Sequence, residues 1–296
     1  MNSNAVSILT ARIDSFPTLP TVVTQVMEIT ADPESSAEDL MKVIIPDQSL
    51  TATILKIANS AFFGFMRKVS SLQQALMVLG FSEIRNIVLA KTMFNSFKDT
   101  KNRSGFNIRK HWEHSFECGL GAKIIAADLK HTGNEFFVAG LIHDIGKLII
   151  YMALPMDFSK IIERTGASGF STFQAEESVL GTTHEELGMR LLKRWLFPEN
   201  LITAVGFHHH PHGAGSKELS LFPLAVYVAD LLTYMIDLPD EMEADLSPED
   251  KSLYSQILSV SRSFGIEWNE SDLERLKEDL TEQKEKEAGT LSLFLS

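Results

Sequence analysis

Acidic side chains set in apolar runs, and histidines gathered nearby, are the parts of this sequence able to do chemistry. Nine histidines occur. His111 and His114 stand three apart at what reads as a helix start, and His143 precedes Asp144 in LIHDIGK. His184 opens HEELG, His208 to His210 and His212 crowd FHHHPH, and Asp230 closes AVYVAD. Imidazole nitrogens and carboxylate oxygens are the donors that zinc, iron, manganese and similar divalent ions prefer. Asp144 lies among Leu141, Ile142, Ile145, Leu148 and Ile149, and Asp230 among Val226, Val228, Ala229, Leu231 and Leu232. Burying an unpaired charge is expensive, and little Lys or Arg stands close in sequence to offset it. A bound metal cation would. The plainer alternative is unrelated polar residues satisfied by backbone hydrogen bonds.

The elements carrying these residues read as helices. Leu50, Ile54, Leu55, Ile57 and Ala58, then Leu72, Leu76 and Leu79, then Ile84, Ile87 and Val88 recur at three- and four-residue spacing. That spacing makes one apolar stripe on a helix, and the alternation required by strands is scarce. Asp47 and Ser71 stand where N-caps belong. The pattern predicts an all-α protein: a helical N-terminal half over 1–105, helical from about Ser15 to Phe97, and a second helical bundle over 106–240. An acidic helical tail occupies 241–296. The polar segments at 98–107 and 238–250 read as linkers. Ser271 with Glu274 has capping-box spacing ahead of Leu273, Leu276 and Leu280, and the last residues read as frayed or packed on a partner.

Composition narrows the function classes. The net charge of -12 is concentrated in the tail, where residues 241–296 hold fourteen acidic against six basic residues, a net -8. No Lys/Arg-rich stripe appears, which disfavours binding to a nucleic-acid backbone or to an anionic membrane surface. Apolar runs such as LIIYMAL fall short of the roughly 18 residues a bilayer span requires. No secretory signal is read at the N-terminus. Cys118 is the one cysteine, so no intramolecular disulfide can form and a reducing, cytoplasmic setting is expected. Its neighbours mark Cys118 as apolar filling and not a nucleophile.

HSFECGLGAKIIA, LIHDIGKL and AVYVADLL resemble the three segments of the HD superfamily of metal-dependent phosphohydrolases. That resemblance implies His114, His143, Asp144 and Asp230 as metal ligands. FPTLPTVVTQVMEI, DQSLTATILKIANSAFFG and VSSLQQALMVLGFSEIRNIVL resemble the HDOD domain, the HD-related output domain of bacterial signalling proteins, over about Ser15 to Asp237. The HD-GYP branch adds a histidine in H-x-x-x-G and a His-His pair. HEELG and FHHHP match these with His184 and with His208 and His209, implying one or two ions of iron, manganese, zinc or nickel. After that pair the chain reads HPHGAG, without the branch's glutamate or Gly-Tyr-Pro element, a departure that counts against cyclic-dinucleotide hydrolysis.

Two functions follow from the resemblance. One is a bacterial signal-transduction output module that meets a protein partner, its metal holding the second half together. The other is a metal-dependent phosphohydrolase or phosphodiesterase acting on a nucleotide or other phosphoester. There Asp144 orients water and Lys147 neutralises the phosphoryl oxygens; in the plainer reading Lys147 is a helix-surface residue. His184 would otherwise be a surface histidine in an acidic helix. His111 reads as a helix-start surface residue or a hydrogen-bond partner of a ligand, and His131, His210 and His212 as exposed loop residues.

Overall fold

Side-chain caps, Asp47, Ser71 and Thr183 among them, open several of the helices. The computed structural model describes residues 3–16, 18–60, 64–65, 68–97, 106–131, 133, 135–168, 172–236, 248–287 and 289–295. Among them the regular structure is helical and no strand occurs. The chain opens with α1 (Ser3–Ser15), α2 (Thr21–Ala31), α3 (Ala37–Ile44), α4 (Gln48–Ala58) and α5 (Leu72–Phe97). Next come α6 (Ile108–Asp128), α7 (Glu135–Ile142), α8 (Ile145–Ala153), α9 (Pro155–Ser168), α10 (Thr172–Leu180) and α11 (His184–Arg194). It closes with α12 (Glu199–Phe207), α13 (Lys217–Ile236), α14 (Pro248–Ser263), α15 (Glu270–Lys286) and α16 (Thr290–Leu295).

The chain packs as two compact units, each drawn from separate stretches. One comprises Met1–His111, Asp144–Pro198 and Lys286–Ser296; the other comprises Trp112–His143 and Glu199–Glu285. The division falls inside the His143–Asp144 pair.

In the first unit Asp47 accepts the Leu50 N–H at 2.9 Å and opens α4. Ser71 accepts that of Gln74 at 3.2 Å and opens α5. Gly80, with φ of 80°, kinks α5, a backbone conformation that costs glycine little. The sequence pattern places the first helix near Ser15, but α1 occupies the residues before it. Among the residues of α1 whose burial is described, Ala5, Leu9 and Ile13 are buried, one per turn, too narrow a stripe for periodicity to register. Arg190 donates to Thr10 Oγ1 at 2.7 Å, tying α1 to α11.

In the second unit the acidic tail is a structural part. Leu273, Leu276 and Leu280 of α15 are buried, and Trp268 Nε1 donates to Asp128 of α6 at 2.9 Å. The α15 cap lies two residues before the expected one. Asn269 Oδ1 accepts the Ser271 N–H at 2.9 Å and Asp272 Oδ2 accepts that of Asn269 at 3.0 Å. Asn caps more strongly than its place in a polar run suggests. The chain end forms α16, which packs on α4 and α5 within the first unit. The expected linkers at 98–107 and 238–250 fall largely outside the described residues.

Two stretches, Glu135–Ala153 and Lys217–Ile236, are long and apolar enough to cross a membrane, longer than the uninterrupted runs counted in the sequence. The difference arises because isolated polar residues, Asp144 and Lys147 among them, interrupt the runs without lowering their average greatly. Burial accounts for 83 % of the first window and 56 % of the second, as in core helices.

Candidate metal centre

Small residues position the donors of the second unit. A Cβ at Gly140 of α7 would lie 2.6 Å from Cys118 O and 2.7 Å from Gly119 Cα, so α6 and α7 meet backbone to backbone. At Gly121 a Cβ would lie 2.9 Å from Ala229 Cβ, so α6 approaches α13 as closely. Cys118, buried there, directs Sγ to Val226 O at 3.8 Å, consistent with apolar filling. These contacts bring His114 of α6, His143 at the end of α7 and Asp230 of α13 together. His114 Nε2 lies 3.0 Å, and His143 Nε2 3.8 Å, from the same Asp230 oxygen, Oδ1. The His143 ring stands against His208, centroids 5.0 Å apart, and His208 against His209 at 4.2 Å.

Hydrogen bonds settle the tautomers of two of these rings. His143 Nδ1 lies 2.7 Å from Gly140 O and His208 Nδ1 lies 2.9 Å from Val205 O. A carbonyl only accepts, so Nδ1 carries the proton in each ring and the neutral imidazole presents its lone pair at Nε2. Burial, and then the Asp230 charge, raises the Tyr227 phenol above its ordinary range, keeping it a neutral hydroxyl.

The first unit holds Asp144, Lys147 and His184. Asp144 precedes α8 and makes no side-chain cap bond to it. Lys147 Nζ lies 2.5 Å from its Oδ2 and His184 Nε2 lies 3.3 Å from its Oδ1. Thr183 caps α11, and Gly146 of α8 lies so close to the His184 carbonyl that a Cβ there would overlap it. His184 Nδ1 meets Glu176 Oε2 at 2.6 Å. Burial opposes the charged His184 ring, Glu176 favours it more strongly, and its pKa stands above the ordinary 6.5.

Several expectations need correction. Asp144 has a cationic neighbour, Lys147, because residues three apart on a helix share a face. Asp230 is less deeply sunk than its apolar sequence neighbours suggest, its side chain retaining 24 % exposure, since it stands where α13 turns toward the imidazoles. His184, expected as a ligand, is fully buried, which removes the plainer alternative of a surface histidine. His111 is also buried, beside Phe106. His131, His210 and His212 are exposed as expected, with His212 stacked on Phe264. Glu176 was not legible as a site residue. Its signal was faint: with Ala175 and Leu180 it lies on the buried face of α10, an acid in an apolar stripe.

The donor sets fit a divalent metal ion. A neutral His143 directs a lone pair at Asp230 Oδ1, and a neutral His184 with its Nδ1 proton toward Glu176 directs one at Asp144 Oδ1. Imidazole nitrogens and carboxylate oxygens brought together in this way are the donor types that a divalent transition-metal ion takes.

These observations define an all-helical, HD-type module with imidazole–carboxylate groups able to hold metal. The chain belongs to the HDOD domain family, whose model matches residues 16–211. A relative in Treponema pallidum (strain Nichols), an uncharacterised protein, is 25 % identical over 207 residues. The match covers 68 % of this chain and 39 % of that protein, so the chain spans about two fifths of its relative's length. The crystal structure of a "Putative phosphohydrolase" from Shewanella amazonensis SB2B is similar in fold, with TM-score 0.73, 23 % identity and 98 % of each chain covered. So is that of a "Putative signal transduction protein" from Marinobacter aquaeolei VT8, with TM-score 0.71 and 17 % identity, covering all of this chain and 66 % of the other. At these identities the two structures establish the fold alone.

Proposed function

We propose that the chain is a bacterial, cytoplasmic signal-transduction output module whose HD-type residues hold one or two divalent transition-metal ions. The resemblance to HD-type proteins assigns His114, His143, Asp144 and Asp230 to a first ion, and His184, His208 and His209 to a second, with Asp144 shared. The observation carrying this reading is the convergence of His114 Nε2 and His143 Nε2 on one Asp230 oxygen, at 3.0 and 3.8 Å. The chain itself joins this trio to Asp144, the residue after His143. Membership of the HDOD family and the signalling name of the Marinobacter structure support the output role. So does the segment after His208 and His209. Pro211–Ala214 is wound into a 3-10 turn with Pro211 and Ala214 buried, and His212 stacks on Phe264. That segment lacks the glutamate and the Gly-Tyr-Pro element of the HD-GYP branch. A protein partner is the expected recipient of the signal.

A second reading, a metal-dependent phosphohydrolase acting on a phosphoester, is favoured by the full complement of HD-type donors and by the name of the Shewanella structure. The ion would lower the pKa of water from about 15.7 toward about 7. Lys147, 2.5 Å from Asp144 Oδ2, keeps further ammonium donors that could meet a phosphoryl oxygen. Metal analysis together with assays on nucleotide and generic phosphoesters, for wild type and Asp144→Ala, separates the two. Stoichiometric metal without turnover, and a melting temperature lowered by chelation, is the expected result. Metal-dependent turnover abolished by Asp144→Ala would establish the enzyme instead.

A further inference from the structure

We infer that Glu176 is a positioning residue: a single buried carboxylate oxygen fixes both the ring and the backbone of His184 so that Nε2 is presented as a metal donor. The inference rests on the reading of His184 as a ligand, and all its geometry lies within the first unit. Glu176, on α10, has no solvent exposure. Its Oε2 accepts the His184 main-chain N–H at 2.8 Å and stands 2.6 Å from His184 Nδ1. A carboxylate only accepts, so Nδ1 is held as a protonated nitrogen, and in the neutral ring that a metal requires the lone pair is on Nε2, 3.3 Å from Asp144 Oδ1.

The second oxygen of Glu176 gives the inference its force. Oε1 is buried and makes no hydrogen bond among the described residues, and the ion pair in which Glu176 takes part there is with His184. An ionised carboxylate half satisfied in the interior is costly, and an apolar residue or glutamine would serve packing alone better. What the acid adds is negative charge at the far side of the ring, which strengthens Nε2 as a donor and locks its orientation. Carboxylate partners of metal-bound histidines act in this way. Gly146 closes the arrangement, since only a residue without Cβ lets α8 lie against the His184 carbonyl.

The test uses the full chain with Co2+ as the probe. Its affinity is measured by competition with a chelator and its visible spectrum is recorded, for wild type, His184→Ala, Glu176→Gln and Glu176→Asp. Glu176→Gln is expected to fold and to weaken Co2+ binding roughly 10–100-fold, with a shifted spectrum; Glu176→Asp, which keeps the charge, is expected to recover part of the loss. If Glu176→Gln binds as wild type with an unaltered spectrum while His184→Ala weakens binding, the role of Glu176 is overturned and the ligand reading stands. If His184→Ala itself binds Co2+ like wild type, the ligand reading falls first. Nitrogen NMR of the unaltered Zn2+-loaded protein decides the tautomer without any variant: a protonated Nδ1 on His184 is expected, and a protonated Nε2 would overturn the inference.

Discussion

Gly146 marks how little freedom the His-Asp segment has. Any Cβ there overlaps the His184 carbonyl, and overpacking of that kind costs typically about 1–3 kcal/mol. Gly146→Ala is therefore expected to lower stability by about 2 kcal/mol or more in urea denaturation; an unchanged midpoint would contradict the packing. Lys147 supplies the counter-charge that the sequence seemed to lack, 2.5 Å from Asp144 Oδ2. Lys147→Met should destabilise the metal-free protein and have a smaller effect on the metal-loaded one, where the ion takes over neutralisation. Parallel melts of the two forms check this, and equal losses in both would count against a metal at Asp144. At this scale the sequence was informative wherever an acid interrupted an apolar run, as at Asp144 and Asp230. It was blind to Glu176, because its neighbour Glu177 is exposed and the two acids cannot be told apart without knowing the face of α10.

The end of α11 shows an element closed by an unsuitable residue. Leu196 adopts φ of 56°, the Leu196 N–H donates to Lys193 O at 3.1 Å, and that of Phe197 donates to Leu192 O at 3.1 Å. Glycine is the usual residue at such a helix end, and Leu196 is 75 % exposed, so little packing is lost on removing its side chain. Leu196→Gly should raise stability by about 0.5–1 kcal/mol; a fall in melting temperature would show that the exposed leucine makes contacts worth more than its strain. Helix existence and several caps, Asp47 and Ser71 among them, could be read from side-chain type and spacing. The α15 cap could not, because Asn269, Ser271 and Asp272 are all competent caps and tertiary contacts select among them. Helix α1 escaped because a stripe of one buried residue per turn is indistinguishable from chance.

For the whole molecule, apolar periodicity is a local signal and carries no information on which helices share a core. The interleaving of Met1–His111 with Asp144–Pro198 and Lys286–Ser296 in one unit therefore lay beyond the sequence, whereas the all-α class did not. Protonation couples the donors to global stability. The raised pKa of His184 in the folded metal-free protein means that folding favours its proton. That stabilisation is full below the ordinary value of 6.5 and is lost as pH rises through the raised one. A metal ion displaces protons from its ligands and binds more tightly as pH rises. Chelation is thus expected to lower the melting temperature little near pH ~5.5 and substantially near pH ~8. Melts across that range, with and without chelator, test it; a chelator effect that does not vary with pH would contradict the competition.

The central claim is that imidazoles and carboxylates of this chain grip a divalent ion. X-ray absorption on metal-loaded protein addresses it most directly. The account predicts a shell of nitrogen and oxygen donors near ~2.0–2.2 Å for Zn2+, with imidazole scattering beyond it; His143→Ala diminishes that scattering, and Asp230→Ala removes an oxygen donor from the shell. A sulfur shell, or an ion surrounded by water alone and unaffected by either change, would contradict it.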